Sequence, residues 1–259
     1  MTTYTLTFGD CGENHHGMEK IGQLASEGFS CPDLVKAQTW FENNGFPAHL
    51  INLQQLYPQG DEAYILVVPE GVFAFLNEEE FTSLCQEQID LDKDTKALMR
   101  GRVCNKKARH NLCFGPVAQE PNYEQGKGRI VAFKDVPVLD KVRKSLKDPI
   151  GEKGDNLIVE GNYYYDIDKC YIGFHGDTER RKVIALRLGD SFPLHYQWYC
   201  DSLPVGKRGQ LNLGEGDIYF MSEKAVGFDW KKRKVPTLRH AAGYSKELNL
   251  NQNYIELLY

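Results

Sequence analysis

The chain has 259 residues, 41% hydrophobic and 26% charged, with a formal net charge of −5. That composition is close to the globular average, which excludes disorder, collagen and coiled coil as descriptions of the whole. The length allows one large or two small domains, with enough interior to form a core without covalent staples. No run approaches the roughly 18 apolar residues of a membrane span, and the polar, acidic start lacks the features of a secretory signal. With seven scattered Cys and no CxxC pair, reduced thiols in a cytoplasmic or nuclear protein are expected, with no membrane partner.

Thr2–Phe8 alternates Thr with Tyr, Leu and Phe and predicts a strand that Gly9-Asp10-Cys11-Gly12 ends. A helix is expected near Gly17–Ala25, and a firmer one starts at Pro32 and stops at Asn43-Asn44-Gly45. His49–Gln54 and Ala63–Pro69 read as strands, with Val72–Leu76 as the return arm of a hairpin across Glu70-Gly71. Leu76–Ala97 is helical in tendency, with Asn77 as its cap. Residues 1–96 carry 16 acids and 4 bases, a charge of −12; the remainder carries 20 acids and 27 bases, a charge of +7. The shift predicts a boundary near residue 95, between an acidic α/β module (1–95) suited to a protein partner and a basic second part (96–259).

The second part is mostly β. Short apolar runs recur at Arg129–Phe133, Leu157–Tyr165, Cys170–Phe174, Lys182–Leu188, His195–Tyr199, Gln210–Leu213, Asp217–Met221 and Thr237–Ala241, interrupted by a helix at Val138–Leu146. The chemistry-bearing stretch ends in His175-Gly176-Asp177. An imidazole and a carboxylate two positions apart, where a strand gives way to a loop, can turn to one metal. A third ligand from a distant strand would complete the facial set of non-haem Fe(II) oxygenases.

Together with Asn162-Tyr163-Tyr164 upstream, the Gly216-Asp217 strand downstream, and Arg233 and Arg239 six positions apart, this region (roughly 100–245) resembles the AlkB-type Fe(II)/2-oxoglutarate dioxygenases. The resemblance implies an α+β protein, a small α/β module followed by a double-stranded β-helix (jelly roll). It implies Fe(II) at His175 and Asp177, and 2-oxoglutarate held by Arg239, Arg233, Asn162 and Tyr164. It also implies hydroxylation or demethylation of a nucleobase, or of a protein or small molecule; a degenerate, non-catalytic binding domain is the other reading. If Arg233 and Arg239 lie on one strand they share a face, and two guanidiniums suit a dicarboxylate. The third metal ligand is open. The family's distal His is expected within Ser222–Lys232, which holds none; His240, Asp229 and Glu223 are the candidates, or the ligand is lost. Strand alternation would place His240 and Arg239 on opposite faces. Lys106, Lys107, Arg109, Arg180 and Arg181, with Tyr123, Trp198 and Tyr199, are candidates to grip nucleic acid.

Overall fold

The computed structural model describes residues 1–244, 246, 248 and 254–259. In chain order, β1 (Thr3–Gly9) leads into a small hairpin of β2 (Cys11–Glu13) and β3 (Lys20–Gly22). Then come α1 (Cys31–Asn43), β4 (His49–Asn52), β5 (Tyr64–Val68) and α2 (Glu78–Asp90). A second hairpin, β6 (Lys96–Met99) and β7 (Arg102–Asn105), precedes β8 (His110–Gly115), β9 (Ile130–Ala132), α3 (Pro137–Ser145) and α4 (Lys147–Ile150). The remainder is β10 (Ile158–Tyr164), β11 (Ile172–His175), β12 (Val183–Gly189), β13 (Phe192–Cys200), β14 (Leu203–Leu213), β15 (Ile218–Met221), α5 (Glu223–Val226), β16 (Thr237–Ala242) and β17 (Ile255–Glu256).

The fold is mixed α/β, dominated by two sheets. One has eight strands in the order β4-β5-β15-β12-β1-β10-β8-β9, the other five in the order β11-β16-β13-β14-β17. Period-2 alternation decides what each strand of the large sheet presents. Leu6 and Phe8 of β1, Val159 and Tyr163 of β10, Ile184, Leu186 and Leu188 of β12, and Ile218 and Phe220 of β15 join one core. The helices cover that face through Leu34, Ala37 and Phe41 of α1, Phe81 and Leu84 of α2, and Leu139 and Val142 of α3. The opposite face packs Val183, Ala185, Tyr219 and Met221 against Leu194, Tyr196, Trp198 and Leu238 of the five-stranded sheet. At β10 and β1 the residues turned this way are polar, among them Thr5, Thr7, Glu160 and Asn162, and they line a cavity instead of a core.

The helices follow local rules. Ser30 accepts from the Asp33 backbone N–H while the Asp33 carboxylate accepts from Ser30, and Pro32 stands in the first turn of α1. Asn77 and Glu80 form the same reciprocal cap on α2, where three glutamates favour the positive end of the helix dipole.

Three expectations are corrected. The segment expected to be a helix at 17–25 contains β3, which closes a hairpin on β2 through Cys11↔Gly22 and Glu13↔Lys20. Gly71–Ala74 is a 3₁₀ turn entered through a left-handed Glu70 (φ 52°), so no hairpin arm forms there. The boundary near residue 95 separates no sheet. Central strand β1 lies between β12 and β10 along its whole length, and β5 pairs with β15, so residues 1–95 share the sheet and core of the remainder. The charge asymmetry marks the surface, whereas apolar pairing decides where the chain goes. Among the described residues no helix is long and apolar enough to cross a membrane.

Candidate metal centre

The side chains of His175, Asp177 and His240 converge, with one ligand atom from each lying within 4.8 Å of the others. β11 delivers His175 at its last position, where it pairs directly with His240 of the neighbouring β16. Cross-strand partners share a face, so both imidazoles project the same way with ring centroids 4.5 Å apart. The chain turns at Gly176 and brings Asp177 back beneath them. Its Oδ1 lies 3.4 Å from Nε2 of His175 and 3.7 Å from Nε2 of His240. Gly176 passes so near Gly227 that an added Cβ would lie 2.2 Å from the Gly227 carbonyl oxygen. That close approach requires the glycine between the two ligands.

The electrostatics suit a cation. Nδ1 of His175 is 2.8 Å from the Gly173 carbonyl. A proton there satisfies the carbonyl and leaves the Nε2 lone pair facing Asp177, the arrangement that orients metal-bound imidazoles. Burial, reinforced by the neighbouring His175, pushes His240 down to about 4, so it presents a neutral ring. Burial opposes charge on Asp177, but a hydrogen bond from the other His175 tautomer, whose place a metal would take, and the charge of Arg180 outweigh it and hold the carboxyl below its usual range. Two imidazole nitrogens and one carboxylate oxygen on a single side could serve as the facial donor set of a divalent transition metal with open positions.

Arg180 is the supporting group. It is buried, bonds Glu160 and Glu179, and has Nε 3.6 Å from the outer oxygen of Asp177. Burial disfavours its charge, but the three carboxylates together raise it well above its ordinary value. From Glu160 the polar chain continues: Asn162 donates to Glu160, and the Asn162 amide oxygen accepts from Arg109 and Asn111. Beside Glu160, which accepts from the Glu13 N–H, burial and the Glu179 carboxylate push Glu13 up to about 7.

These groups line a cavity of about 490 Å³ between the two sheets. Asn162 and Tyr164 line it as expected, together with His175, Asp177 and His240. Arg239 and Arg233 do not. Arg239 follows strand alternation to the opposite face of β16, where its guanidinium lies 3.9 Å from the Tyr199 ring centroid and 5.0 Å from that of Trp230. Arg233 is exposed in the loop before β16, which begins only at Thr237, so the six-residue spacing does not set a common face. Glu223 bonds Arg181 and the Gly28 N–H, and Asp229 pairs with Lys224 at 2.9 Å; both lie outside the cavity.

Several cavity residues escape the sequence reading. Arg187, in the middle of β12, is 1% exposed. Its signal is a lone Arg inside the apolar run Val183–Leu188. His15, Glu13 and Asn14 reach the mouth because the β2–β3 hairpin folds over it, a placement only the tertiary structure provides. Conversely, most of the residues expected to grip nucleic acid are engaged. Lys106 is buried on Asn14 and Asn111, Arg180 on its carboxylates, Trp198 in the core, and Tyr123 donates to Asp94.

No known protein family profile matches the chain. It is 50% identical over 250 residues to an uncharacterized protein of Acanthamoeba polyphaga mimivirus, an alignment covering 94% of this chain and 96% of that protein.

Proposed function

The chain belongs to the family of that mimivirus protein, and we propose that it is an Fe(II)- and 2-oxoglutarate-dependent oxygenase. The observation that carries this reading is the convergence of His175, Asp177 and His240 inside a cavity between two sheets. His240 is then the distal ligand, supplied by β16 instead of the Ser222–Lys232 interval.

Strand order supports a jelly-roll reading of the two sheets. Counted from β10, the inner four strands of one sheet run β10-β1-β12-β15, and those facing them run β11-β16-β13-β14. We read this order as that of an eight-stranded double-sheet jelly roll, with β1 in the place of the last strand. In this reading the N-terminal strand closes the barrel-like core that the C-terminal part opens.

When bound, the iron and the 2-oxo acid would activate dioxygen, one oxygen atom leaving in succinate as the 2-oxo acid loses carbon dioxide and the other entering a C–H bond of the substrate. The protein's share is positional. A proton on His175 Nδ1 toward Gly173 would fix that ring, and Arg180 helps hold Asp177 ionised. Val183, Leu194, Met221 and Ala242 form the apolar wall that keeps bulk water from the centre. The substrate we infer is a small molecule or a protein side chain. Glu13, Glu160 and Glu179 give the cavity an acidic wall; of the basic residues that would follow a phosphate backbone, Lys106 and Arg180 are buried in internal contacts, and Arg109 and Arg181 are engaged by Asn162 and Glu223.

Anaerobic titration with Mn(II), followed by electron paramagnetic resonance and calorimetry, tests the metal centre. One site per chain is expected, lost in His175→Ala, Asp177→Ala and His240→Ala. Mn(II) binding that all three variants retain would overturn it. Turnover of 2-oxoglutarate to succinate tests the oxygenase. A steep loss of ligand binding with ionic strength would reinstate a nucleic-acid substrate.

A further inference from the structure

We propose that Arg187, with Thr5 beside it, is the carboxylate anchor of this cavity, the group that would hold the far carboxylate of the 2-oxo diacid. The inference rests on the metal-centre reading for the identity of the ligand, and on its own geometry for the presence of an anion site.

Arg187 is 1% exposed and touches the Tyr219 hydroxyl, but among the described residues neither Nε nor Nη1 has a hydrogen-bond partner. Among the described residues no Asp or Glu lies within ion-pairing distance of it. Its neighbours are aromatic: the Phe192 centroid at 5.7 Å and the Tyr219 centroid at 6.0 Å. A guanidinium does not shed its proton in a protein, so this charge persists in the interior. A buried charge without a counter-ion is strongly unfavourable. The other buried arginine of the cavity, Arg180, is compensated by Glu160, Asp177 and Glu179. Arg187 lines the same cavity as the metal cluster and faces it from the opposite sheet. Its missing partner is therefore an anion that arrives through that cavity.

The strand register supplies the second donor. Thr5 of β1 stands directly opposite Arg187 of β12 and on its other side opposite Asn162 of β10. Directly opposed residues share a sheet face, so the Thr5 hydroxyl is presented beside the guanidinium. Thr5 Oγ1 is buried and also lacks a partner. A planar fork with an adjacent hydroxyl matches the two oxygens of one carboxylate. The metal cluster would take the other end of the same molecule, which gives the cavity a preference for dicarboxylates over monocarboxylates. Arg187 thus takes the part assigned from sequence to Arg239 and Arg233, from a strand that precedes them by some fifty residues.

The test uses the full chain and separates the two readings. Mn(II) affinity is measured first; then 2-oxoglutarate and 2-oxobutanoate, which lacks the far carboxylate, are titrated into the Mn(II)-loaded protein. The wild type should prefer 2-oxoglutarate on the order of 10- to 100-fold, the range of a charge-assisted pair. Arg187→Met should abolish that preference while leaving Mn(II) and 2-oxobutanoate affinities in place, and Arg187→Lys should keep part of it. Thr5→Val, an isosteric change, should reduce the preference and serves if Arg187→Met does not fold. Preference retained in Arg187→Met, or in Thr5→Val as its substitute, overturns the anchor. Should the wild type bind no Mn(II), the metal reading fails and glutarate alone judges the anchor: Arg187-dependent binding supports it, and absence of binding overturns it.

Discussion

Gly176 gives the sharpest test of how the metal ligands are held. In Gly176→Ala the new Cβ would lie 2.2 Å from the Gly227 oxygen and 2.8 Å from both the Gly227 carbonyl carbon and Trp230 Cβ. Real Cβ atoms keep at least 3.0 Å from such neighbours, so the two backbones must separate by about 0.8 Å. Metal–ligand distances tolerate about 0.2 Å. The displacement is several times larger and falls on the residue joining His175 to Asp177, so the three donors cannot all keep their places. The overpacking should cost about 1–3 kcal/mol of stability, and Mn(II) affinity should fall at least about tenfold, equivalent to about 1.4 kcal/mol. Gly173→Ala is the control. It lies in β11, three residues before Gly176, and supplies the carbonyl facing His175, yet its Cβ would meet nothing within 4 Å. Calorimetric titration of both variants with Mn(II), beside urea unfolding, separates loss of site from loss of fold. Wild-type Mn(II) affinity in Gly176→Ala would refute the claim that the turn sets the ligand geometry.

Arg180→Leu leaves Glu160, Asp177 and Glu179 buried without their shared cation, and urea unfolding should show a loss of about 3–5 kcal/mol. Trp198→Ala empties the second core and removes the indole N–H donated to the Leu53 carbonyl at 3.0 Å, for a loss of about 3–5 kcal/mol by the same measurement. Two pH effects should oppose each other. Burial pushes His195 down to about 4 from 6.5, so its stabilisation is complete above pH 6.5 and is lost on acidification toward pH 4, by at most about 3 kcal/mol. Glu13 is pushed up to about 7 from 4.5, so its contribution is present below pH 4.5 and is lost as pH rises through 7. Stability followed by denaturant midpoint between pH 4.5 and 6.5 should therefore rise less with pH in His195→Gln than in wild type, and more in Glu13→Gln. Slopes that move in the same direction in both variants would contradict these assignments.

Legibility in the sequence tracked the range of the interaction. The capped helices α1 and α2 were readable because Ser30, Asp33, Asn77 and Glu80 act within one turn of chain. The strands β10, β12, β15 and β16 announced themselves by apolar runs bounded by Gly, Pro and Asp. His175 and Asp177 were readable as a pair because their spacing is local. Alternation, also local, separated His240 from Arg239, and the structure places them on opposite faces accordingly. What distance in sequence concealed was pairing. Nothing in Thr3–Gly9 announces that it inserts between β10 and β12, so a boundary drawn from charge cut through a continuous sheet. The turn at Gly71–Ala74 depends on Val72 joining the main core and on the Val72 N–H bonding the Gly216 carbonyl, contacts made across the fold.

The placement of β1 also explains why the site could be only half read. The proposed metal donors come from β11, the loop after it and β16, all in the C-terminal part. The wall opposite them is built on β1 and β12, and the rim on the β2–β3 hairpin. A motif search follows residues that act on one atom, and it finds the donors. Arg187, Thr5 and Glu13 matter through the faces their strands present, and a strand's face has no meaning until its neighbours are known. A guanidinium with no carboxylate partner among the described residues is therefore visible only once β1 lies beside β12 and removes Arg187 from water. A feature that is a routine basic residue in the sequence becomes, by burial alone, the strongest indication that the cavity receives an anion.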